Sequence, residues 1–294
     1  NVSSCPSEET CEEISRITYT LFLTSPKQPT LERLREYHIN YGNIFEFYFL
    51  YHCTNTEERL NKAIERYSYD WHSIQKVYQN IGIIIENTAQ IYHEKYQLEF
   101  PIDINLIIGA YGSNAYANRK IIPDITFAME RLTFEAEPLQ VIVAHEFGHV
   151  AHNLITNQEG MDWKKVRWEH PYTWLLQEGA ATHFSKQIYP NLSESIYFSY
   201  SLEGDEWFTF AKKHKQDIIS SFANELRSGK EFTHIYKEWF SINGGETFGY
   251  SRLAYFIADC LFQDLSFITD ELHTLLLWKN EAYFQIVDEW LNQW

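Results

Sequence analysis

The sequence predicts a helix-rich α+β fold in which a small mixed sheet lies between two helical regions. Apolar residues recur at three- and four-residue spacing through much of the first hundred residues, and helical patterning returns after Phe208. Between these regions, Ile102, Ile104, Leu106 and Ile108 alternate with intervening residues in the period of a strand. Because helices precede and follow the strands, we expect the layers of an α+β protein.

The elements of the N-terminal half follow from this periodicity. Residues 31–49, 57–69 and 71–96 are predicted to be helices, and Pro101 ends the helical region. Residues 109–118 are rich in Gly, Ala, Ser and Asn and are predicted to form a loop. Residues 121–122 and 125–129 are predicted to be short strands, separated by a turn at Pro123 and Asp124.

The second half is predicted to be helical again. Pro138 marks the first turn of a helix, where its missing N–H has no consequence, and Leu139, Ile142 and Val143 begin the buried stripe of that helix. Pro171 begins the next helix, which runs to about residue 189. A turn at residues 243–245 precedes a last long helix over about residues 250–265. We therefore divide the chain into regions 1–100, 101–190 and 191–294.

Composition excludes several classes of protein. The formal net charge of −16 repels a phosphate backbone, and the basic groups are short, so we expect no nucleic-acid partner. No apolar run reaches the 18 or so residues that cross a bilayer, so we expect no membrane partner. The absence of a signal-peptide pattern favours a cytoplasmic location, while Asn1 in place of an initial Met leaves secretion open. Cys5 and Cys11 could pair in a secreted protein.

One motif carries chemistry. Residues 145–149 read His-Glu-Phe-Gly-His, and on a helix the two histidines lie one turn apart and project from one face. That arrangement suits two ligands of a tetrahedral zinc ion. Glu146 is placed to approach a metal-bound water without being a ligand. The sequence therefore predicts one Zn²⁺ held by His145 and His149, with Glu146 as the base. Gly148 lies inside this predicted helix, where glycine is unfavourable. Either another chain segment or the substrate approaches the helix closely there, or the glycine is merely tolerated.

A catalytic zinc needs a third protein ligand. A histidine six residues after His149 would be one solution, but Ile155 is at that position. Glu178 is the better candidate, because it follows an apolar turn and precedes small residues that allow its helix to lie against the zinc helix. The alternative is an ordinary glutamate on a helix surface.

The two segments together, His-Glu-Phe-Gly-His and then Gln-Glu-Gly-Ala-Ala-Thr, resemble the gluzincin branch of zinc metallopeptidases. More narrowly, they are similar to predicted, poorly characterised zinc-dependent peptidases with a Glu-Gly-small-Ala second motif. The resemblance covers about residues 102–255. It implies a zincin-like core in region 101–190, zinc ligands His145, His149 and Glu178, and Glu146 as general base and then acid. It also implies an edge strand that binds extended peptide, for which residues 125–129 are the candidate.

The resemblance further implies a Tyr or His from the C-terminal region as a second donor to the oxyanion. Tyr250 is the first choice, in the segment Phe-Gly-Tyr-Ser-Arg at the head of a predicted helix, and Tyr255 is the second. The 20 tyrosines of the chain make either assignment open to chance.

The leading functional prediction is a peptidase that hydrolyses peptide bonds in peptide or protein substrates by metal-activated water. A sub-case is an aminopeptidase, because residues 128–131 partly resemble the Gly-x-Met-Glu-Asn element in which a glutamate, here Glu130, holds the free amine. Phe127 and Arg131 depart from that element, and the segment between the ligand pair and Glu178 is longer than usual there. A third alternative is a catalytically inactive zincin-fold binding or regulatory protein, although Glu146 has no use at a merely structural site. The oligomeric state is left open.

Overall fold

The computed structural model describes residues 14–19 and 28–294. They form a helix-rich α+β structure around one small mixed sheet, which confirms the predicted class. The strands are β1 (Ile14–Tyr19), β2 (Phe100–Ile107), β3 (Ala115–Ala117) and β4 (Ile125–Ala128). Cys5 and Cys11 lie outside the described residues, and Cys53 and Cys260 are free cysteines.

The sheet has the order β1-β2-β4-β3. Strands β1, β2 and β4 are parallel, and β3 runs antiparallel to β4. The alternation that predicted a strand is realised in β2, where Phe100, Ile102, Ile104 and Leu106 are buried. Strand β1 comes from the N-terminal region, so that region is not helical throughout.

The position of β4 corrects one prediction. Residues 125–129 were expected to form an edge strand, but β4 lies between β2 and β3, so both of its edges are paired. Among residues 14–19 and 28–294, the strand with an unpaired edge on this side is β3, which formed within the predicted loop 109–118. Residues 121–122 are not a strand either; the Ile121 carbonyl instead accepts a hydrogen bond from Asn153 Nδ2 at 2.8 Å.

The ladder between β3 and β4 determines which groups β3 leaves free. Asn118 N–H donates to Asp124 O at 2.9 Å and Ala128 N–H to Asn114 O at 2.8 Å. In an antiparallel pair such bonds recur at every second residue. Ala115 and Ala117 are therefore the residues of β3 whose peptide groups point away from β4. Strand β3 also packs on the helix that carries the two motif histidines.

Helices make up most of the rest of the described chain. Those between β1 and β2 are α1 (Leu31–Asn40), α2 (Gly42–Tyr51) and α3 (Glu57–Tyr96). Those that follow the sheet are α4 (Ala136–Gln158), α5 (Pro171–Ile188), α6 (Ile196–Ser199), α7 (Asp205–Lys213), α8 (Lys215–Arg227), α9 (Phe232–Ile235), α10 (Leu253–Ile268), α11 (Glu271–Leu275) and α12 (Tyr283–Leu291). A five-residue π-helix, Tyr236–Phe240, continues α9.

Two helix boundaries in the N-terminal region differ from prediction. The predicted helix 31–49 is divided at Tyr41 into α1 and α2. Conversely, the predicted helices 57–69 and 71–96 are one helix of 40 residues, α3. No proline or glycine separates them, and the Ser68 hydroxyl donates back to Glu65 O within the turn, so the helix continues. Among residues 14–19 and 28–294, no helix is both long and apolar enough to cross a bilayer.

The centre of the structure is a stack of helices beside the sheet. Helix α4 packs on α3, on β3 and most extensively on α5, and α5 packs in turn on α10. Most of α4 is buried, including every residue from Val141 to Gly148. Its polar side chains are thus held inside the protein, and one of its buried carbonyls, that of Ala144, accepts a hydrogen bond from Tyr92 Oη at 2.8 Å.

Candidate metal centre

Helix α4 presents the two motif histidines side by side. Their rings lie 4.9 Å apart between centroids, at an angle of 87°. His145 is 2 % exposed and its Nδ1 has no hydrogen-bond partner among the described residues. Burial lowers the pKa of His145 to about 3 and that of His149 to about 4. Both imidazoles are therefore neutral at physiological pH, which is the form that binds a metal.

Helix α5 brings the Glu178 carboxylate to the same point. Its Oε2 is 3.1 Å from His145 Nε2 and 3.7 Å from His149 Nε2. One candidate ligand atom from each of the three residues lies within 4.8 Å of the others. Burial raises the pKa of Glu178, while His149, Arg252 and Tyr255 lower it. The structure thus brings together the three residues that the sequence analysis selected as ligands.

Two glycines allow this approach. A Cβ on Gly148 would lie 2.9 Å from Ala181 Cα and 3.1 Å from Ala181 O on α5. A Cβ on Gly179 would lie 2.6 Å from Ala258 O on α10. Of the readings of Gly148 left open by the sequence, the structure therefore favours close approach of another chain segment. The three helices pack backbone against backbone, and that contact sets the distance between Glu178 and the histidines.

Glu146 lies beside the triad and is 8 % exposed. Burial raises its pKa to about 8, the nearby Glu178 raises it further, and Arg252 opposes the rise. The group is consequently able to hold or release a proton near neutral pH, as a general base and acid requires.

Arg252 is a half-buried cation at this site that was not selected from the sequence. It precedes α10 with a left-handed backbone (φ +62°), and its Nη1 donates to Phe198 O at 3.2 Å. Its charge acts on His145, Glu146 and Glu178. The only sequence signal was its place in the segment that contains Tyr250, just before an apolar helix.

Tyr255 and Tyr200 flank the His145 ring. The Tyr255 ring stacks on it at 6.2 Å and 28°, and the Tyr200 ring meets it edge-on at 5.4 Å and 64°. The Arg252 guanidinium lies over the Tyr255 ring at 4.1 Å, and Tyr255 lowers the pKa of the Glu178 carboxyl. Tyr200, at the end of α6, was not selected from the sequence, and no local pattern singled it out.

Tyr250, the first choice as oxyanion donor, is placed elsewhere. Its hydroxyl donates to Glu206 Oε1 at 2.7 Å, and its ring packs on Phe210 at 4.4 Å. These residues border a surface cleft of about 370 Å³ that contains none of the three candidate ligands. The reason is that α10 begins at Leu253 rather than near residue 250. Because the backbone turns at Arg252 in a left-handed conformation, Tyr250 does not continue the helix that carries Tyr255.

Glu130 holds a loop. Its carboxylate accepts hydrogen bonds from Gly109 N–H at 2.8 Å and Tyr111 N–H at 3.1 Å, so both oxygens are engaged between β2 and β3. It is 7 % exposed, and burial raises its pKa to about 7. This arrangement gives both oxygens of the side chain a structural role in the loop after β2.

Comparisons with protein-family models, with curated proteins and with solved structures find no match to this chain.

Proposed function

We propose that this protein is a zinc-dependent peptidase with a zincin-like core formed by the sheet, α4 and α5. The observation that carries the proposal is the convergence of two neutral imidazoles and one carboxylate on a single point, with a second carboxylate, Glu146, beside them. A structural site would have no need for that second, buried acid. The proposal assigns His145, His149 and Glu178 as ligands.

The donor set and its dimensions suit zinc. Ligand bonds of about 2.0–2.2 Å in a tetrahedral arrangement place the ligand atoms roughly 3.3 Å apart. The distances from Glu178 Oε2 to the two imidazole nitrogens, 3.1 and 3.7 Å, fall on either side of this value, and the ligand atoms of the two histidines lie within 4.8 Å of each other. Two histidines and one glutamate leave a coordination position open, as catalytic sites do. A zinc ion held here would supply a Lewis acid that polarises a carbonyl and lowers the pKa of water toward about 7.

Glu146 is assigned the proton transfers. As the water oxygen bonds to the carbonyl carbon of the substrate, one water proton passes to the Glu146 carboxylate. Glu146 then gives that proton to the amide nitrogen while the C–N bond breaks, so the products are a carboxylic acid and an amine. The raised pKa of Glu146, about 8, is suited to both directions of transfer.

Arg252 is assigned an electrostatic role. Two carboxylates, Glu146 and Glu178, lie close enough to raise the pKa of Glu146, and Arg252 counteracts this effect on both. A cation beside the buried Glu146 and the half-buried Glu178 reduces the free energy of keeping the two acids together in a site of low dielectric constant. Its hydrogen bond to Phe198 O holds the guanidinium in place.

The free edge of β3 is assigned to substrate binding. The outward-facing carbonyls of Ala115 and Ala117 and the N–H of Ala117 offer an extended peptide a partner, whereas the Ala115 N–H already donates to Asn114 Oδ1 at 2.9 Å. Strand β3 also packs on α4. An unpaired edge of this kind is a template for strand addition. Region 125–129 is not available for this role, because β4 is paired on both sides.

The aminopeptidase alternative receives no support, because backbone N–H groups occupy both oxygens of Glu130. The alternative of an inactive zincin-fold binding protein differs from the proposed peptidase in one property, because Glu146 would then have no catalytic role. One experiment can distinguish the peptidase from the binding protein.

The test is to measure bound metal and peptide cleavage for the wild type, Glu146→Gln and Glu178→Ala. Metal content is measured by mass spectrometry of the elements after purification with zinc, and cleavage by mass spectrometry of a mixed peptide library. We expect one zinc per chain in the wild type and Glu146→Gln, less in Glu178→Ala, and cleavage by the wild type alone. Cleavage by Glu146→Gln at the wild-type rate would overturn the mechanism. Bound zinc without cleavage by the wild type would favour the binding protein, and a preference for iron over zinc would reassign the metal.

A further inference from the structure

We propose that Trp174, Tyr236 and Phe240 form a surface that binds an aromatic side chain of the peptide substrate, at a residue close to the cleaved bond. These three residues are called the aromatic wall below. The inference rests on the proposed function and names the class of substrate that the site selects.

The aromatic wall borders the candidate metal centre. Trp174 and Glu178 are four residues apart on α5, so their side chains lie on one face of that helix. The Phe240 ring lies 6.5 Å from the Tyr255 ring, which in turn stacks on the His145 ring at 6.2 Å. When the scissile bond of a peptide lies at the candidate ligands, the neighbouring side chains of that peptide are therefore within reach of the wall.

The three rings hold one another in a fixed arrangement. The Tyr236 and Phe240 rings are parallel, with an interplanar angle of 6° and centroids 5.9 Å apart. Trp174 meets both of them edge-on, Tyr236 at 5.2 Å and Phe240 at 5.5 Å. Its indole is oriented further, because Nε1–H donates to Trp168 O at 2.8 Å. Aromatic rings prefer edge-on and offset contacts, so the wall is already arranged to receive another ring.

Tyr236 is the exposed member of the wall. It is 51 % exposed, whereas Phe240 is buried and Trp174 is half-buried. Phe232, four residues earlier, and Trp168, which accepts the hydrogen bond from Trp174, are exposed as well. The exposed rings are thus a cluster and not a single side chain. An exposed apolar cluster beside a polar site is typical of a surface that binds a ligand.

Tyr236 also lies near the proposed path of the substrate. Burial raises the pKa of Tyr236, as does the charge of Glu178, while Arg252 and Arg119 lower it. Glu178 and Arg252 belong to the candidate metal centre, and Arg119 follows β3 by two residues. Tyr236 is therefore close both to the candidate ligands and to the end of β3. A peptide that extends from the free edge of β3 to the metal centre passes this ring.

A π-helix places Tyr236 and Phe240 beside each other. Segments of this kind are rare and occur frequently at functional sites. Other residues of the segment hold it in place: Glu238 accepts hydrogen bonds from the N–H groups of residues 245–247, and Trp239 Nε1 donates to Glu225 Oε2. We therefore expect the segment to keep its shape when the Tyr236 ring is removed.

The test measures the preference for an aromatic residue and its dependence on Tyr236. The probes are a short acetylated and amidated peptide of Ala, Ser and Gly, and the same peptide with Phe or with Lys in place of its central Ala. For each peptide, kcat/KM is measured with the wild type, Tyr236→Ala, Tyr236→Phe and a control, Tyr69→Ala, at a position of α3 that is 84 % exposed. Mass spectrometry locates the cleaved bonds. The Kd of each peptide is measured by calorimetry in the Glu146→Gln background, in which we expect no cleavage.

We expect the wild type to prefer the Phe peptide to the Ala peptide by about 10–100-fold in kcat/KM, as for burial of a large apolar side chain. Its cleavage should occur at a constant distance from the Phe residue. Tyr236→Ala should lower this preference by about fivefold or more, with kcat/KM for the Ala peptide and zinc content within about twofold of the wild type. Tyr236→Phe keeps the ring, so it should retain the preference, as should Tyr69→Ala. The ratio of the two Kd values should change in parallel.

Equal cleavage of the Phe and Ala peptides by the wild type, or an unchanged preference in Tyr236→Ala, would overturn this inference and leave the proposed function standing. An equal loss of kcat/KM for both peptides in Tyr236→Ala would also overturn it, because the residue would then act on the site as a whole. Preferred cleavage of the Lys peptide would overturn it in favour of a cation held over the ring. A wild type that cleaves none of the peptides would count against the proposed function, and equal Kd values for the Phe and Ala peptides would then overturn this inference too.

Discussion

Replacing Gly148 with alanine tests whether close packing of α4 on α5 sets the geometry of the triad. The added Cβ would lie 2.9 Å from Ala181 Cα, a backbone atom that cannot rotate away. Carbon atoms in favourable contact are about 3.5–4.0 Å apart, so the helices would have to separate by roughly 0.6–1 Å. Ala181 is three residues from Glu178 on α5, so the carboxylate would move with the helix.

The magnitude follows from two opposing terms. Overpacking a core costs about 1–3 kcal/mol, whereas alanine is more favourable than glycine in a helix interior by at most about 1 kcal/mol. We therefore expect the free energy of unfolding to fall by about 1–2 kcal/mol. Metal–ligand distances tolerate changes of only about 0.2 Å, so zinc affinity should fall about tenfold or more.

The assay is urea denaturation of the metal-free protein together with zinc competition against a chromogenic chelator. Gly42→Ala is the control, because a Cβ at this first residue of α2 would lie an ordinary 3.7 Å from Glu46 Oε1. It should leave both quantities unchanged or slightly improve stability. A Gly148→Ala protein with wild-type stability and wild-type zinc affinity would refute the reasoning. Lost stability with unchanged zinc affinity would show that the packing does not control the ligands.

Three further predictions concern loops and the sheet edge. Burial raises the pKa of Glu130 from about 4.5 to about 7, so the protonated carboxyl stabilises the fold fully below pH 4.5, and this stabilisation is lost as the pH rises through 7. Between pH 4.5 and pH 7 the free energy of unfolding of the wild type, measured with urea, should fall by about 3 kcal/mol relative to that of Glu130→Gln. Equal pH profiles of the two proteins would contradict this. Glu238 accepts hydrogen bonds from the N–H groups of residues 245–247, so Glu238→Ala should lower the free energy of unfolding by about 2–4 kcal/mol. The control, Glu246→Ala at an exposed position, should lower it by less than about 0.5 kcal/mol. A loss below about 1 kcal/mol for Glu238→Ala would be too small for three such bonds. Ala117→Pro removes an N–H on the free edge of β3, and should raise KM about tenfold with zinc content and kcat unchanged; an unchanged KM would remove this edge from substrate binding.

The sequence was informative wherever the deciding pattern was local. The i, i+4 spacing of His145 and His149 places both rings on one face of any helix, so their pairing required only that α4 be helical. The alternation that predicted β2 and the proline that predicted the start of α5 act over a few residues in the same way. Glu178 was selected because small residues after it would let its helix lie against the zinc helix, and Ala181 does lie against Gly148 of α4, whereas Gly179 faces α10.

The misplaced predictions all depended on distant contacts. Residues 125–129 have the composition of a strand, but whether a strand is central or at an edge depends on its partners, and β3 formed from only three residues of a loop-like segment. Tyr250 was favoured because it stood at the head of a predicted helix. The helix began three residues later, after a left-handed turn, and the hydroxyl found Glu206 instead.

Local sequence patterns were enough to predict the class of fold, the helix that carries the motif histidines, and the residue types that can hold a metal. Contacts between distant segments were needed to bring Glu178 to those histidines, to place Arg252 and Tyr200 near them, and to engage Glu130 in a loop. The physical reason is that helix and strand patterns arise from interactions between near neighbours in the chain. The charges and donors of this site, by contrast, come from segments that are 33 residues (Glu178) to 107 residues (Arg252) after His145 and meet it only when the helices pack.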